Sequence, residues 1–327
     1  MEQTSTQGKK IREWKQFALF CGIALLVRSL LISPCRVPSG SMLPTLQVGD
    51  FPLLLKTTYG WSRFSLFGGG HIPYFSGKIG GRALPNRGDV VVFTNPKDTS
   101  QDFIKRVVGL PGDTVQMIGG ILHLNGKPIK LELKKSDIEQ YDGVKTISGD
   151  LYTATLPTEG GTVSYEILKQ RPFGQSDGDN TPAYHVPQDH FFVLGDNPDG
   201  SGDSRYMDQL GFVHKDYLLG RPLFTYLSID HEDMYLTRPW TWLMLPFKIR
   251  WNRCFYQHIQ PVFSPTAEKA DPASDGKNLA HSGARTDGKT KEQSDDALLP
   301  VVANEAVSNE ILSNEAVSND TMAAHVH

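Results

Sequence analysis

Only one stretch of this chain, Phe17 to Ile32 (FALFCGIALLVRSLLI), is both long and nearly all apolar. It follows a polar N-terminal segment that carries Lys9, Lys10, Arg12 and Lys15. A helix from Trp14 to Ser33 would span about 30 Å at ~1.5 Å per residue, close to the hydrocarbon thickness of a bilayer. The flanking cations predict a cytoplasmic N-terminus, with the chain after the helix outside. Arg28, near the outer end, would reach the headgroups on its long stem. A cleaved leader has the same polarity but needs a small-x-small site. Here the run ends Ile32-Ser33-Pro34-Cys35-Arg36, and Pro34 stiffens the place where a cut, or lipid attachment at Cys35, would fall. The expectation is an uncleaved anchor over residues 16–33, with 1–15 in the cytoplasm.

Beyond the anchor the apolar segments are short and punctuated by many of the chain's 31 glycines and 21 prolines, which predicts a mainly β, antiparallel protein. Expected strands are Phe51–Leu55, Val90–Phe93, Phe103–Val108, His190–Leu194 and Leu223–Ile229. Val115 to Ile129 reads as a hairpin, with Gly119-Gly120 and Asn125-Gly126 as turns. The expected organisation is a β core from 34–114 and 189–264, with a variable β-region inserted at 115–188. Two segments keep two readings each. The aromatic loop after residue 56 (Trp61, Phe64, Leu66, Phe67, Tyr74, Phe75) and the basic aromatic stretch Trp240–Phe263 either meet a membrane surface or pack on a sheet. After residue 264 there is no Phe, Trp or Tyr, and NEAVSN occurs at 304–309 and again at 314–319, so 265–327 is expected to be a disordered tail.

Several chemistries find no support. A net charge of -3 and the lack of a basic aromatic stripe before the C-terminal third give no nucleic-acid partner. Of the three cysteines, Cys21 lies in the apolar run; a Cys35–Cys254 disulfide needs both outside the cytoplasm. The Gly68-Gly69-Gly70 triplet lacks a P-loop lysine, and no HExxH or paired CxxC occurs. Residues 197–208 mimic calcium-loop spacing, but the first and last ligands are wrong. No metal and no cofactor is expected.

Three motifs remain. Pro38-Ser39-Gly40-Ser41-Met42-Leu43-Pro44-Thr45 is a stiff turn that can present a hydroxyl. A serine is a weak nucleophile until a base takes its proton. Ile104-Lys105-Arg106-Val107-Val108-Gly109-Leu110-Pro111-Gly112-Asp113 offers Lys105, with Phe103 and Val107 on the same strand face. A free lysine titrates near 10.4, so to act as base it needs its pKa lowered by ~2–3 units, which burial can supply. Gly195-Asp196-Asn197 through Ser201-Gly202-Asp203-Ser204-Arg205 could hold that lysine's rotamer. Read from the pattern alone, the first motif is more often a plain turn than an active site, Lys105 is equally an exposed edge residue, and the third motif is a polar loop. His123, His185, His190 and His214 sit in no motif that pairs with Ser41.

Together and in this order the motifs resemble those of the bacterial type I signal peptidases, membrane-anchored serine/lysine proteases that remove signal peptides from exported proteins. The resemblance covers roughly residues 14–225. It implies Ser41 as nucleophile and Lys105 as general base, with Ser39 and the Ser41 N–H as oxyanion hole. It further implies support from Ser201 hydrogen-bonding Lys105, from Asp203 paired with Arg106, and from Arg205 and Gly195. Pockets for small -1 and -3 side chains would be lined by Cys35, Val37, Leu46, Phe103 and Ile104. Cys35 stands where the family often has a large apolar residue, and one membrane helix precedes the serine where many relatives have two. The implied substrates are signal-peptide-bearing preproteins cut after Ala-x-Ala sites. The implied setting is the inner membrane, single-pass, with the catalytic domain on the outer side beside the lipid bilayer and the export machinery. The rival readings are a dedicated Ser/Lys maturation protease and a non-catalytic membrane-anchored β-domain.

Overall fold

The computed structural model describes residues 2–65, 77–82, 84–230, 245–257 and 259–265. The glycine triplet, Phe67, Tyr74, Phe75, residues 231–244 and the tail after 265, with its repeat, lie outside the described residues.

Helix α1 runs Glu2–Leu30 and passes directly into strand β1, Ile32–Pro34. Its side chains from Trp14 to Leu26 are largely exposed, among them Trp14, Phe17, Leu19, Phe20, Ile23, Leu25 and Leu26. Among the described residues no helix is long and apolar enough to cross a membrane, against the expectation of a span over 16–33. The physical reason is that charges close in on both sides. Only Phe17–Val27 is uninterrupted between Lys15-Gln16 and Arg28-Ser29.

The strands are β2 (Asp50–Leu55), β3 (Val90–Thr94), β4 (Asp102–Gly109), β5 (Thr114–Ile118), β6 (Ile121–Leu124) and β7 (Lys127–Pro128). After them come β8 (Lys130–Tyr141), β9 (Thr146–Thr158), β10 (Gly161–Lys169), β11 (Tyr184–His185), β12 (His190–Leu194), β13 (Val213–His214), β14 (Leu218–Ser228) and β15 (Val262–Pro265). They form a seven-stranded sheet ordered β1-β2-β14-β3-β4-β12-β13 and two four-stranded sheets, β15-β10-β9-β8 and β11-β5-β6-β7. Every pairing between these strands is antiparallel. The mainly β, antiparallel expectation therefore holds.

The expected strands appear where apolar runs meet turn residues. β3 is buried at all five positions, and the β5–β6–β7 meander turns at Gly119-Gly120 and Asn125-Gly126, all with positive φ. β14 begins five residues earlier than the expected Leu223 and runs through Pro222. Pro222 sits at a register shift against β2, where a missing N–H costs no ladder bond. A short helix α2, Leu245–Lys248, opens the aromatic segment that bridges back to β14 through Ile229–Ile249 and Thr225–Tyr256. Arg253, buried against Asp50 at 2.5 Å, fastens that segment to β2. Cys21, Cys35 and Cys254 are all free thiols.

Candidate active site

The serine motif folds as a tight turn. Ser39 is extended (φ -139°, ψ 158°), and Gly40–Met42 then make one 3-10 turn closed by the Leu43 N–H to the Gly40 carbonyl at 3.2 Å. Met42, Leu43 and Leu46 are buried and anchor the turn in the cores of the sheets. Ser41 is thereby held with little of it exposed.

Lys105 lies mid-strand in β4, opposite Val91 of β3. It is 5% exposed, and its Nζ donates to Ser41 Oγ at 2.6 Å, 64 residues away in sequence. The ammonium lies 5.6 Å from the centre of the Phe103 ring. Burial lowers its pKa to about 8; Asp203 and Asp196 work against that shift, and Arg205 adds to it. The edge-lysine reading is excluded by this burial.

The third motif is arranged differently from the implied pattern. Asp203 does not pair with Arg106. It takes Arg205 through two bonds, Nε–Oδ1 at 2.8 Å and Nη2–Oδ2 at 2.9 Å, and accepts the Gly195 N–H at 3.1 Å. Arg106 is fully buried and pairs with Asp196 instead, Nε–Oδ1 at 2.7 Å and Nη2–Oδ2 at 2.6 Å, over the ring of Tyr165. The alternation of a strand explains the exchange, because Lys105 and Arg106 point to opposite faces and meet different carboxylates. Ser201 is also corrected. Its hydroxyl is buried and makes no hydrogen bond to Lys105 or to any other group among the described residues, and Lys105 is oriented by Ser41 itself. Gly195 is where close approach was expected. A Cβ there would stand 2.5 Å from the Ser41 carbonyl oxygen and overlap Ser201 Oγ.

Val37, Phe103 and Ile104 line a cavity of about 570 Å³ together with Ser39, Ser41, Met42 and Lys105. Leu46 does not reach it and lies behind, in the core cluster with Val37 and Ile104. Cys35 lines a neighbouring cavity of about 700 Å³ that shares Asp102 with the first, and burial pushes its thiol up to about 11. The histidines are occupied elsewhere: His123 with the Ile121 carbonyl, His185 with Thr114, His190 with the Gln188 carbonyl and His214 with the Asp216 N–H. None of these contacts involves Ser41.

Sequence reasoning missed Thr45, whose hydroxyl donates to Asp196, and Asn197, whose side chain donates to the Gly40 carbonyl at 3.0 Å and whose N–H donates to the Ser41 carbonyl at 3.1 Å. Both stand inside the quoted motifs, so their neighbours were the available signal.

The family model described as signal peptidase, peptidase S26, matches residues 11–227. The chain belongs to peptidase family S26, the signal peptidases. Among its S26 relatives, a signal peptidase I of Rickettsia canadensis is 38% identical over 232 residues, 69% of this chain and 83% of the relative. One from Rickettsia conorii is 36% identical over 227 residues, with the same shares covered. A crystal structure of a signal peptidase I from Enterococcus faecalis V583 is matched at 25% identity over 42% of this chain and 96% of that chain. Its TM-score of 0.24 is too low to bear on the fold.

Proposed function

We propose that this S26 peptidase removes signal peptides from exported preproteins with a Ser41/Lys105 dyad, anchored to the membrane by α1. One observation carries the reading: a buried lysine amine 2.6 Å from a serine hydroxyl, with a pKa lowered to about 8. At pH 7 about a tenth of such lysines are neutral, against roughly one in a few thousand in water.

In the proposed reaction, neutral Lys105 takes the Ser41 proton as Oγ attacks the scissile carbonyl. The oxyanion is met by the Ser41 N–H and by Ser39, whose Oγ lies 3.4 Å from Ser41 Oγ. Lys105 then gives its proton to the leaving amine, leaving an acyl ester on Ser41. A water deprotonated by Lys105 hydrolyses the ester and restores both groups.

Topology supports a peptide substrate. Residues 102–105 of β4 pair with β3 on one side, while β12 joins the other side only from Arg106 onward. Across the cavity, Cys35 and Val37 donate their N–H groups to β2, at Pro52 and Asp50. An extended chain can add to the open edge at 102–105, its alternate side chains entering the cavity walled by Val37, Phe103 and Ile104. Small residues at -1 and -3 are the proposed specificity. The anchor is supported by the exposed apolar side chains of α1, which in water would be left uncovered.

The test is cleavage of a preprotein bearing an Ala-x-Ala site by detergent-solubilised wild type, Ser41→Ala and Lys105→Ala across roughly pH 6–10. The expected result is cleavage by wild type alone, rising about tenfold from near pH 7 to a plateau near pH 9. Equal cleavage by Lys105→Ala would sink the dyad.

A further inference from the structure

Lys169, the last residue of β10, is a second buried lysine, and the proposed reaction does not use it. Its Nζ lies 3.0 and 3.1 Å from the two Asp179 oxygens and 2.6 Å from Asp199 Oδ1. Both carboxylates are almost fully buried. One ammonium between two carboxylates is costly to desolvate, and such a cluster survives only when its remaining lone pairs are met. Here they are met. Asp199 also accepts the Gln170 and Arg171 N–H groups at 2.7 and 2.9 Å, and Asp179 accepts those of Gly174 and Ser176.

Asp199 belongs to the 3-10 turn Pro198–Gly200, directly after Asn197. The next residue to Lys169, Gln170, donates its amide to Asn197 Oδ1 at 2.6 Å. Asn197 in turn holds the carbonyls of Gly40 and Ser41 at 3.0 and 3.1 Å. The end of β10 is thus joined to the 196–200 loop, and through Asn197 to the serine turn, by three short links: the Leu168 N–H to the Asp196 carbonyl at 2.8 Å, the Lys169–Asp199 ion pair, and Gln170 to Asn197.

We propose that Lys169, clamping Asp179 and Asp199, is a positioning residue for the nucleophile: it fixes the 197–200 turn, which through Asn197 aims Ser41 at Lys105. The proposal rests on the dyad reading for its catalytic consequence but not for its structural one.

The experiment compares full-length wild type, Lys169→Met, the milder Asp199→Asn and Leu156→Ala in detergent. Leu156 is a fully buried core residue outside the site and serves as a control for lost stability alone. Two readouts are taken: kcat and KM per folded enzyme well below the melting temperature, and hydrogen exchange of peptides covering residues 38–46. The expected result is kcat lowered about 10- to 100-fold in Lys169→Met and about tenfold in Asp199→Asn, with KM within roughly threefold. Exchange at 38–46 should be faster in both, and Leu156→Ala should show neither effect. If Lys169→Met does not fold, Asp199→Asn carries the comparison. Unchanged kcat in the folded variants, or exchange at 38–46 no faster than in Leu156→Ala, would overturn the clamp. Faster exchange at 38–46 in a preparation whose wild type cleaves no preprotein would uphold the clamp and count against the dyad reading.

Discussion

A lysine with its pKa lowered to about 8 binds protons less readily than the same residue in the unfolded chain. Between about pH 8 and 10.4 the unfolded state carries the extra proton, so stability rises with pH across that window. Below it the folded protein bears the whole net penalty, on the order of 3 kcal/mol, which is what remains of the desolvation cost after the attraction of Asp203 and Asp196. Lys105→Met should therefore abolish cleavage yet raise unfolding free energy at neutral pH by roughly 1–3 kcal/mol, with the gain shrinking as pH climbs toward 10.4. Denaturant unfolding at both ends of the window measures it, and a pH-independent change would refute the buried-amine account. Gly195 carries the opposite liability. Gly195→Ala places a methyl against the Ser41 carbonyl oxygen, so the turn must give way. The expected cost is about 1–3 kcal/mol of stability and about 10- to 100-fold in kcat, read from melting and from single-turnover acylation. Normal acylation by Gly195→Ala would show that the turn tolerates a shift the geometry forbids.

At the scale of strands, legibility followed what sequence can encode locally. β3, β4 and β12 were readable because each is a short apolar run stopped by turn residues, whereas the Ser41–Lys105 meeting was readable only through the resemblance that their two motifs carry. Partner choice within the third motif was not. Asp196 and Asp203 lie in one loop, Arg106 and Arg205 are both available, and only the faces of β4 decide which pairs form. Lys169 left no local trace, because its partners lie 10 and 30 residues on, brought in at the end of β10. The corrected pairing has its own consequence. Asp196→Ala strands the Arg106 guanidinium in the core and frees Thr45, so it should cost about 3–5 kcal/mol. Asp203→Ala should leave Arg106 paired, and its loss should fall on Arg205 and the Gly195 N–H. A coupling energy between Arg106→Met and Asp203→Ala as large as that between Arg106→Met and Asp196→Ala, in double-mutant cycles, would restore the Asp203–Arg106 pairing.

At the scale of the whole molecule, the exposed large apolar side chains of the described residues are scattered singly except in two stretches that carry several each. One is α1, and the other is the segment of α2 and the turn after it, where Phe247, Trp251 and Phe255 are 87%, 67% and 72% exposed. The two are linked through the sheet: α1 enters β1, β1 pairs with β2, β2 with β14, and β14 carries the aromatic segment, with Phe255 stacked on Phe224. Of the two readings open for this segment, packing on the sheet accounts for Arg253, Tyr256 and one face of Phe255, but not for Phe247, Trp251 or the outer face of Phe255. A bilayer met by both α1 and these rings would cover them, since aromatic side chains favour the headgroup zone. Phe247→Ser/Trp251→Ser/Phe255→Ser should then weaken vesicle binding by at least roughly tenfold, because burying even one large apolar side chain is worth about 1.5–3 kcal/mol. Cleavage of a short soluble peptide should be unchanged, because none of the three rings lines the cavity at Ser41. Vesicle flotation at full strength by the triple variant would leave α1 as the whole of the anchor and return the aromatic segment to a role within the fold.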